Sequence, residues 1–197
     1  MIDSSGLKVY GEGEWKVRQH GYSKRRTWRK MHIGIDAHTG EIVTGVLTEA
    51  GVDDAAMAEE ILTQAQTESR LDTVIADGAY DKDKVYEALC AHCPEATVLI
   101  PPRKDAHIWQ HGNAHAPPHP RDTNLRTIRK IGRRQWKAQA GYHQRSLIEN
   151  TMYRYKTLFN DHLTARKIDT QATQFGVRCD VLNRMTALGM PDSYPVA

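Results

Sequence analysis

No stretch of this 197-residue sequence is apolar for long enough to form a membrane span or the hydrophobic segment of a secretory signal, so a cytoplasmic setting is expected. Cysteine is scarce and odd in number (Cys90, Cys93 and Cys179), which excludes a closed disulfide framework and fits a reducing compartment. Cys90-Ala-His-Cys93 has the CxxC form but no second pair, and it falls in the closing turn of a predicted helix, so a zinc ion would be short of ligands. Acids are missing from residues 16 to 30, where seven Lys or Arg gather, and from 121 to 145 eight bases stand against Asp122 alone. Between Glu49 and Glu95 the balance reverses, with twelve acids and three bases. The net charge is only +3, so this is a nearly neutral body with two basic segments, the pattern of a polyanion-binding face; ordinary solvated charge is the alternative for either segment alone.

The stretch Tyr142 to Lys156 lacks both Pro and Gly, and Ile148, Met152, Tyr155 and then Phe159 recur at helical spacing. At roughly 100° per residue, Tyr142, Arg145, Glu149 and Lys156 share one narrow line beside that apolar stripe. A lone carboxylate held between an Arg and a Lys at the edge of a core is where a functional acid would sit. An exposed ion-pair ladder with Arg145 and Glu149 at i,i+4 is the plainer alternative.

Along the chain, Met1 to Asp3 reads as the tail end of a strand, and Gly6 to Val17 as a turn or loose hairpin. Lys30 to Asp36 and Ile42 to Thr48 alternate like paired strands joined by the turn at residues 37–40. Asp53 caps a predicted helix running to about Thr67, with Ala56, Ile61 and Ala65 inward. Thr73 to Ala76 is a short buried strand ending at Asp77, which places that acid at the carboxyl edge of a sheet, though a turn-forming role would also suit it. A helix over 82–92 and a strand over Thr97 to Ile100 follow. His107, His111, His115 and His119 recur every four residues, but Pro117, Pro118 and Pro120 break any helix that would align them, and residues 104–122 read as a flexible insertion. Asn124 to Ala138 is a basic helix bent at Gly132, with Ile128, Ile131 and Trp136 inward. A last helix begins near Asp169 and Thr170 with Phe175, Val177, Val181 and Leu182 as core positions.

The line of Tyr142, Arg145, Glu149 and Lys156, spelled Y-x2-R-x3-E-x6-K, resembles the signature around the last acidic residue of bacterial insertion-sequence transposases of the DDE type. DSSGLKVYGEGEWKVR near the start, ADGAYD in the middle and LNRMTALGMP near the end resemble one branch, the insertion sequence five family. The resemblance implies an α/β, ribonuclease H-like (retroviral-integrase-like) mixed five-stranded sheet with helices on both faces, the first three strands a meander and the fourth and fifth parallel beside the first. It implies a catalytic domain over residues 1–166 and a C-terminal helix and tail, 167–197, packing on it. It also implies that an N-terminal DNA-binding region precedes the motif of Asp3 in longer relatives, so a truncated chain is expected.

By the same resemblance Asp3, Asp77 and Glu149 are the catalytic and metal-binding acids. Three carboxylates meeting would repel unless cations stood between them, and hard oxygen donors suit Mg2+, with two ions expected and Mn2+ as a substitute. Such an ion pair suits in-line displacement at phosphorus, first by water and then by a freed 3'-hydroxyl. Arg145, Lys156 and Tyr142 would hold DNA near the cut, and Lys24, Arg25, Arg26, Arg29, Arg133 and Arg134 would bind duplex backbone. Trp15, Trp28 and Trp136 serve either DNA contact or core packing. Double-stranded DNA, element ends and target, is the implied partner, a homo-oligomer assembled on DNA the implied form and the nucleoid the implied place. Asp36 is the rival for the first acid, since it also ends a strand; DSSGLK favours Asp3. A non-catalytic DNA-binding remnant and a stand-alone metal-dependent nuclease are the competing functions.

Overall fold

The computed structural model describes residues 1–9, 27–68, 70–110 and 117–189. Strands β1 (Ile2–Val9), β2 (Thr27–Ile35) and β3 (Ile42–Glu49) form an antiparallel meander in which Asp3 faces Ile33 and Ile33 faces Gly45. Their alternation serves two faces: Leu7, Met31, Ile33 and Ile35 enter one core cluster, while Ile2 and Val46 belong to another. The expected loose turn at Gly6 is instead strand as far as Val9. Gly6 is there to admit a ring, because a Cβ at that position would stand 3.2 Å from the Trp28 indole across the ladder. The rest of the proposed hairpin, with Trp15, lies outside the described residues.

Helix α1 (Ala58–Glu68) follows a 3-10 turn, Asp54–Met57, in which the Ala55 N–H donates to the capping carboxylate of Asp53. Ile61 and Ala65 are buried as expected, but Ala55 and Ala58, rather than Ala56, take the other inner positions. Strand β4 (Thr73–Ile75), helix α2 (Asp83–His92) and strand β5 (Thr97–Leu99) come next. α1 and α2 bury Ile61, Leu62, Val85, Tyr86 and Leu89 in the cluster that contains Ile2. Beyond the insertion, α3 (Pro120–Ile131) and α4 (Arg133–Gln139) meet at Gly132, whose φ of +83° only glycine adopts readily. α3 starts four residues earlier than expected: His119 caps it through its ring and Pro120 occupies the first turn, where the missing N–H costs nothing, so this proline begins the helix.

The single five-stranded sheet is replaced by two smaller ones. A four-stranded sheet runs β3-β2-β1-β6, in which the two-residue β6 (His162–Leu163) adds in parallel to Lys8 and Val9, and β4 pairs in parallel only with β5. β4 is three residues long and makes its ladder with β5 alone, while β6 takes the edge of β1. Side chains join the two sheets: Met1 packs both on the main-sheet cluster and on the cluster of Ile75, Leu99, Trp136 and Tyr142. The far face of the main sheet is covered by α5 (Ser146–Phe159) and α6 (Ile168–Ala187) through Ile148, Met152, Tyr155, Phe175, Cys179 and Leu182. Val177 and Val181, expected in that core, are exposed, because they lie roughly half a turn round the helix from Phe175 and Cys179.

Between β2 and α1, His32 is wholly buried, with its Nε2 2.9 Å from the Thr48 hydroxyl and its Nδ1 without a hydrogen-bond partner. Burial pushes its pKa down to about 4, against the raising effect of Asp54. The folded form keeps the ring neutral while the unfolded chain protonates near pH 6.5, so this contribution is complete above 6.5 and is lost as pH falls towards 4. The expected cost over that window is roughly 2–3 kcal/mol. Denaturant titrations at pH 7 and 4.5 check this, since His32→Gln should flatten the difference between them.

Candidate functional site

β1 supplies the first acid. Asp3 accepts a hydrogen bond from the Ser4 N–H at 2.8 Å through one oxygen and from Arg145 Nη1 at 2.7 Å through the other. Arg145 reaches from the N-terminal edge of α5, and its second nitrogen donates to Glu149, one turn along the same helix. One guanidinium therefore joins two of the sequence-predicted acids, which are 146 positions apart in the chain.

The third acid arrives from the other sheet. Ala76 extends β4 by donating its N–H to the Leu99 carbonyl, and Asp77 follows, bending the chain by accepting the Ala79 N–H at 2.8 Å over the 3-10 turn Gly78–Tyr80. The turn-forming reading of Asp77 is thus correct for one oxygen, and that bond fixes where the carboxylate points. Tyr142 holds this corner, donating its hydroxyl to the Ala76 carbonyl at 3.2 Å from a buried position beside Trp136. Tyr142 leaves the expected line because residues 142–145 form a 3-10 turn and α5 begins only at Ser146, which alters the angle between Tyr142 and Glu149.

Electrostatics tie the three acids together. Burial raises the Asp3 carboxyl above the ordinary carboxylate range; the Ser4 N–H and Arg145 oppose the rise and the charge of Asp77 adds to it. The Tyr142 hydroxyl is pushed up to about 12, by burial first and, against the pull of Arg145, by Asp77, Asp3 and Glu149 together. Arg145 is itself held more firmly protonated: burial works against its charge, but Asp3, Tyr142 and Glu149 outweigh it. Three acids that all act on one phenol share a neighbourhood.

Among the described residues no three His, Cys, Asp or Glu side chains stand close enough together to hold a metal ion. The donor types suit a hard divalent cation, since all three are carboxylates, with Arg145 now holding one oxygen of Asp3 and one of Glu149.

The remaining predicted residues take varied places. Lys156, in the last turn of α5, donates to the Ser5 hydroxyl at 2.7 Å, two residues along β1 from Asp3, and burial lowers its pKa. Arg29 donates to the Gln171 side chain at 2.8 Å and Arg133 to the Pro102 carbonyl at 2.5 Å, while Arg134 is exposed. Trp136 is core and Trp28 is partly exposed beneath the Lys8 ammonium. Lys24, Arg25, Arg26, His111 and His115 lie outside the described residues. His107 offers its carbonyl to Arg121, and the His119 ring lies between Tyr86 and Trp109. Asp36 accepts the His38 and Thr39 N–H groups at 2.6 and 3.1 Å and closes the β2–β3 turn.

Sequence reasoning missed the group that carries the insertion. Arg121 and Asp81 form a buried ion pair at 2.7 Å, with Trp109 stacked on the guanidinium at 3.9 Å and Asp122 accepting the Trp109 and Gln110 N–H groups. Asp81 stood in the quoted ADGAYD, but only the fold reveals its partner 40 residues on. No helix among the described residues is long and apolar enough to cross a membrane. A family model described as the transposase DDE domain matches residues 1–184.

Proposed function

The chain belongs to the transposase DDE domain family, and from that premise we propose that Asp3, Asp77 and Glu149 form one site that breaks and joins DNA phosphodiester bonds at the ends of a bacterial insertion element of the insertion sequence five family. Transposition and a DNA partner follow from the family; the site and its chemistry are our reading. The observation that carries it is the Arg145 guanidinium donating to both Asp3 and Glu149, with Tyr142 bonded to the Ala76 carbonyl immediately before Asp77.

Asp3, Asp77 and Glu149 would hold Mg2+, or Mn2+ in its place, and two such ions supply, when bound, Lewis acidity for the attacking and leaving oxygens. The chain's own residues set the stage. Asp77 is aimed by its bond to Ala79, and Tyr142 pins the strand end behind it. Arg145 and Lys156 lie along β1 on either side of Glu149, the arrangement needed to hold successive phosphates of the strand being cut. Arg29, Arg133 and Arg134, with Lys24, Arg25 and Arg26, would extend the duplex contact, whose affinity falls steeply with salt. We read the meander with the β4–β5 pair beside it as a ribonuclease H-like core divided into two sheets, within a catalytic domain of residues 1–166 against which α6 packs. The active form is then a homo-oligomer assembled on DNA in the nucleoid.

Incubating the protein with a plasmid and a labelled duplex that ends in an exposed 3'-hydroxyl tests this. Mg2+ or Mn2+ should give joined product and nicked plasmid, and EDTA should abolish both. Products formed equally in EDTA, or no cleavage or joining with either metal, would count against the proposal.

A further inference from the structure

We propose that α6 is a self-docking surface through which two copies of this chain pair antiparallel about a twofold axis. In the C-terminal half of this helix Val177 at 55%, Val181 at 43% and Met185 at 40% stand exposed, followed by Leu188 at 74% in the capping position just beyond its end. At roughly 100° per residue they fall within an arc of about 80° and cover about three turns. The opposite side of the helix is occupied by Gln171, Phe175, Cys179 and Leu182, all buried, so the stripe faces away from the sheet. A continuous apolar stripe on an exposed helix is the feature by which helices pair.

The charges beside the stripe identify the occupant. Asp180 and Arg184, both exposed, run along its open border one turn apart, while the other border meets the body of the protein at Gln171 and Leu182. When two such helices cross antiparallel about a twofold axis, the same border of each meets the other, and residues whose numbers sum to about 365 stand opposite. Val177 then faces Leu188 of the second copy and Val181 faces its Met185. Asp180 comes against Arg184 of the second copy, and the symmetry repeats that pair. The helix thus carries both halves of its own complement, apolar and ionic. A contact this small gives association in about the micromolar range, at the weak end of specific interfaces.

Sedimentation velocity over about 1–200 μM, without DNA or divalent metal, tests the surface independently of any activity, so a catalytically dead protein leaves this result interpretable. The wild type should move from monomer to dimer, and Val181→Glu should weaken the dimer at least about tenfold. Asp180→Arg and Arg184→Asp should each weaken it severalfold, and the double exchange should return it to within about threefold of wild type. All these positions are exposed, so each variant should stay folded, which circular dichroism checks. A monomer at every concentration, a dimer indifferent to Val181→Glu, or a double exchange no better than the single ones would overturn the proposal.

Discussion

Glu149→Gln and Asp77→Asn are each expected to lower metal-dependent nicking of plasmid DNA by about a thousandfold or more, while the thermal midpoint should move by no more than about 2 °C. The two substitutions isolate charge from structure. Glu149 is more than half exposed and, among the described residues, bonds to Arg145, so an amide of the same shape leaves the packing of α5 untouched. Asn caps a turn about as well as Asp, so the bond to the Ala79 N–H and the bend after β4 survive in the Asp77 variant. What each variant loses is a full negative charge in the site we propose, where carboxylate oxygens would hold a divalent cation. Asp3→Asn is a less clean probe, since it also weakens the Arg145 contact that joins β1 to α5. Nicking that persists equally in Asp77→Asn and Glu149→Gln would mean the site is wrongly assigned.

The largest effect on stability belongs to a different pair. Arg121→Met or Asp81→Ala is expected to cost about 3–5 kcal/mol, because each leaves the other's charge buried and without its closest ion-pair partner, Asp122 standing farther from Arg121 at 3.9 Å. Both side chains are nearly sealed from solvent, and the network around them is dense: Tyr86 and the Arg103 N–H also donate to Asp81, and Arg121 reaches the His107 carbonyl. Removing both charges together should cost less than the sum of the single changes, since neither then lacks the other, and buried Asp122, 3.9 Å from Arg121, still accepts the Trp109 and Gln110 N–H groups. A double-mutant cycle followed by urea unfolding measures that coupling. The pair anchors the segment bearing Trp109 and His119 to the turn before α2, so the single variants should make the partly exposed Trp109 still more accessible to quenchers before the main transition. Additive costs would mean that the two side chains do not act as a unit.

Much of this architecture could be read from periodicity. The alternation over residues 30–36 and 42–48 located β2 and β3, and the apolar run before Asp77 located β4, because each pattern reports a side of the strand that must be buried. The line of Arg145, Glu149 and Lys156 located the helix edge that faces β1. Features that depend on partners distant in sequence were harder to see. β6 is two residues long and has no pattern of its own, and the sheet order follows from which edges find a partner. Gly6 looked like a turn because the ring that needs its missing side chain lies on the neighbouring strand. Val177 and Val181 were assigned to the core by their chemistry alone, whereas the rotation of α6 is set by Phe175, Cys179 and Leu182. The Arg121–Asp81 pair was hidden because a buried charge reads as a surface charge until its counterpart is found.

The most direct measurement is an anomalous-scattering map from crystals grown with Mn2+ and collected at the manganese edge. The expected result is a peak within about 2.2 Å of carboxylate oxygens from both Asp3 and Asp77, with Glu149 completing the set and Arg145 turned away from at least one of the acids it now joins. Manganese bound elsewhere, with Asp3, Asp77 and Glu149 each keeping to its present neighbours, would contradict it.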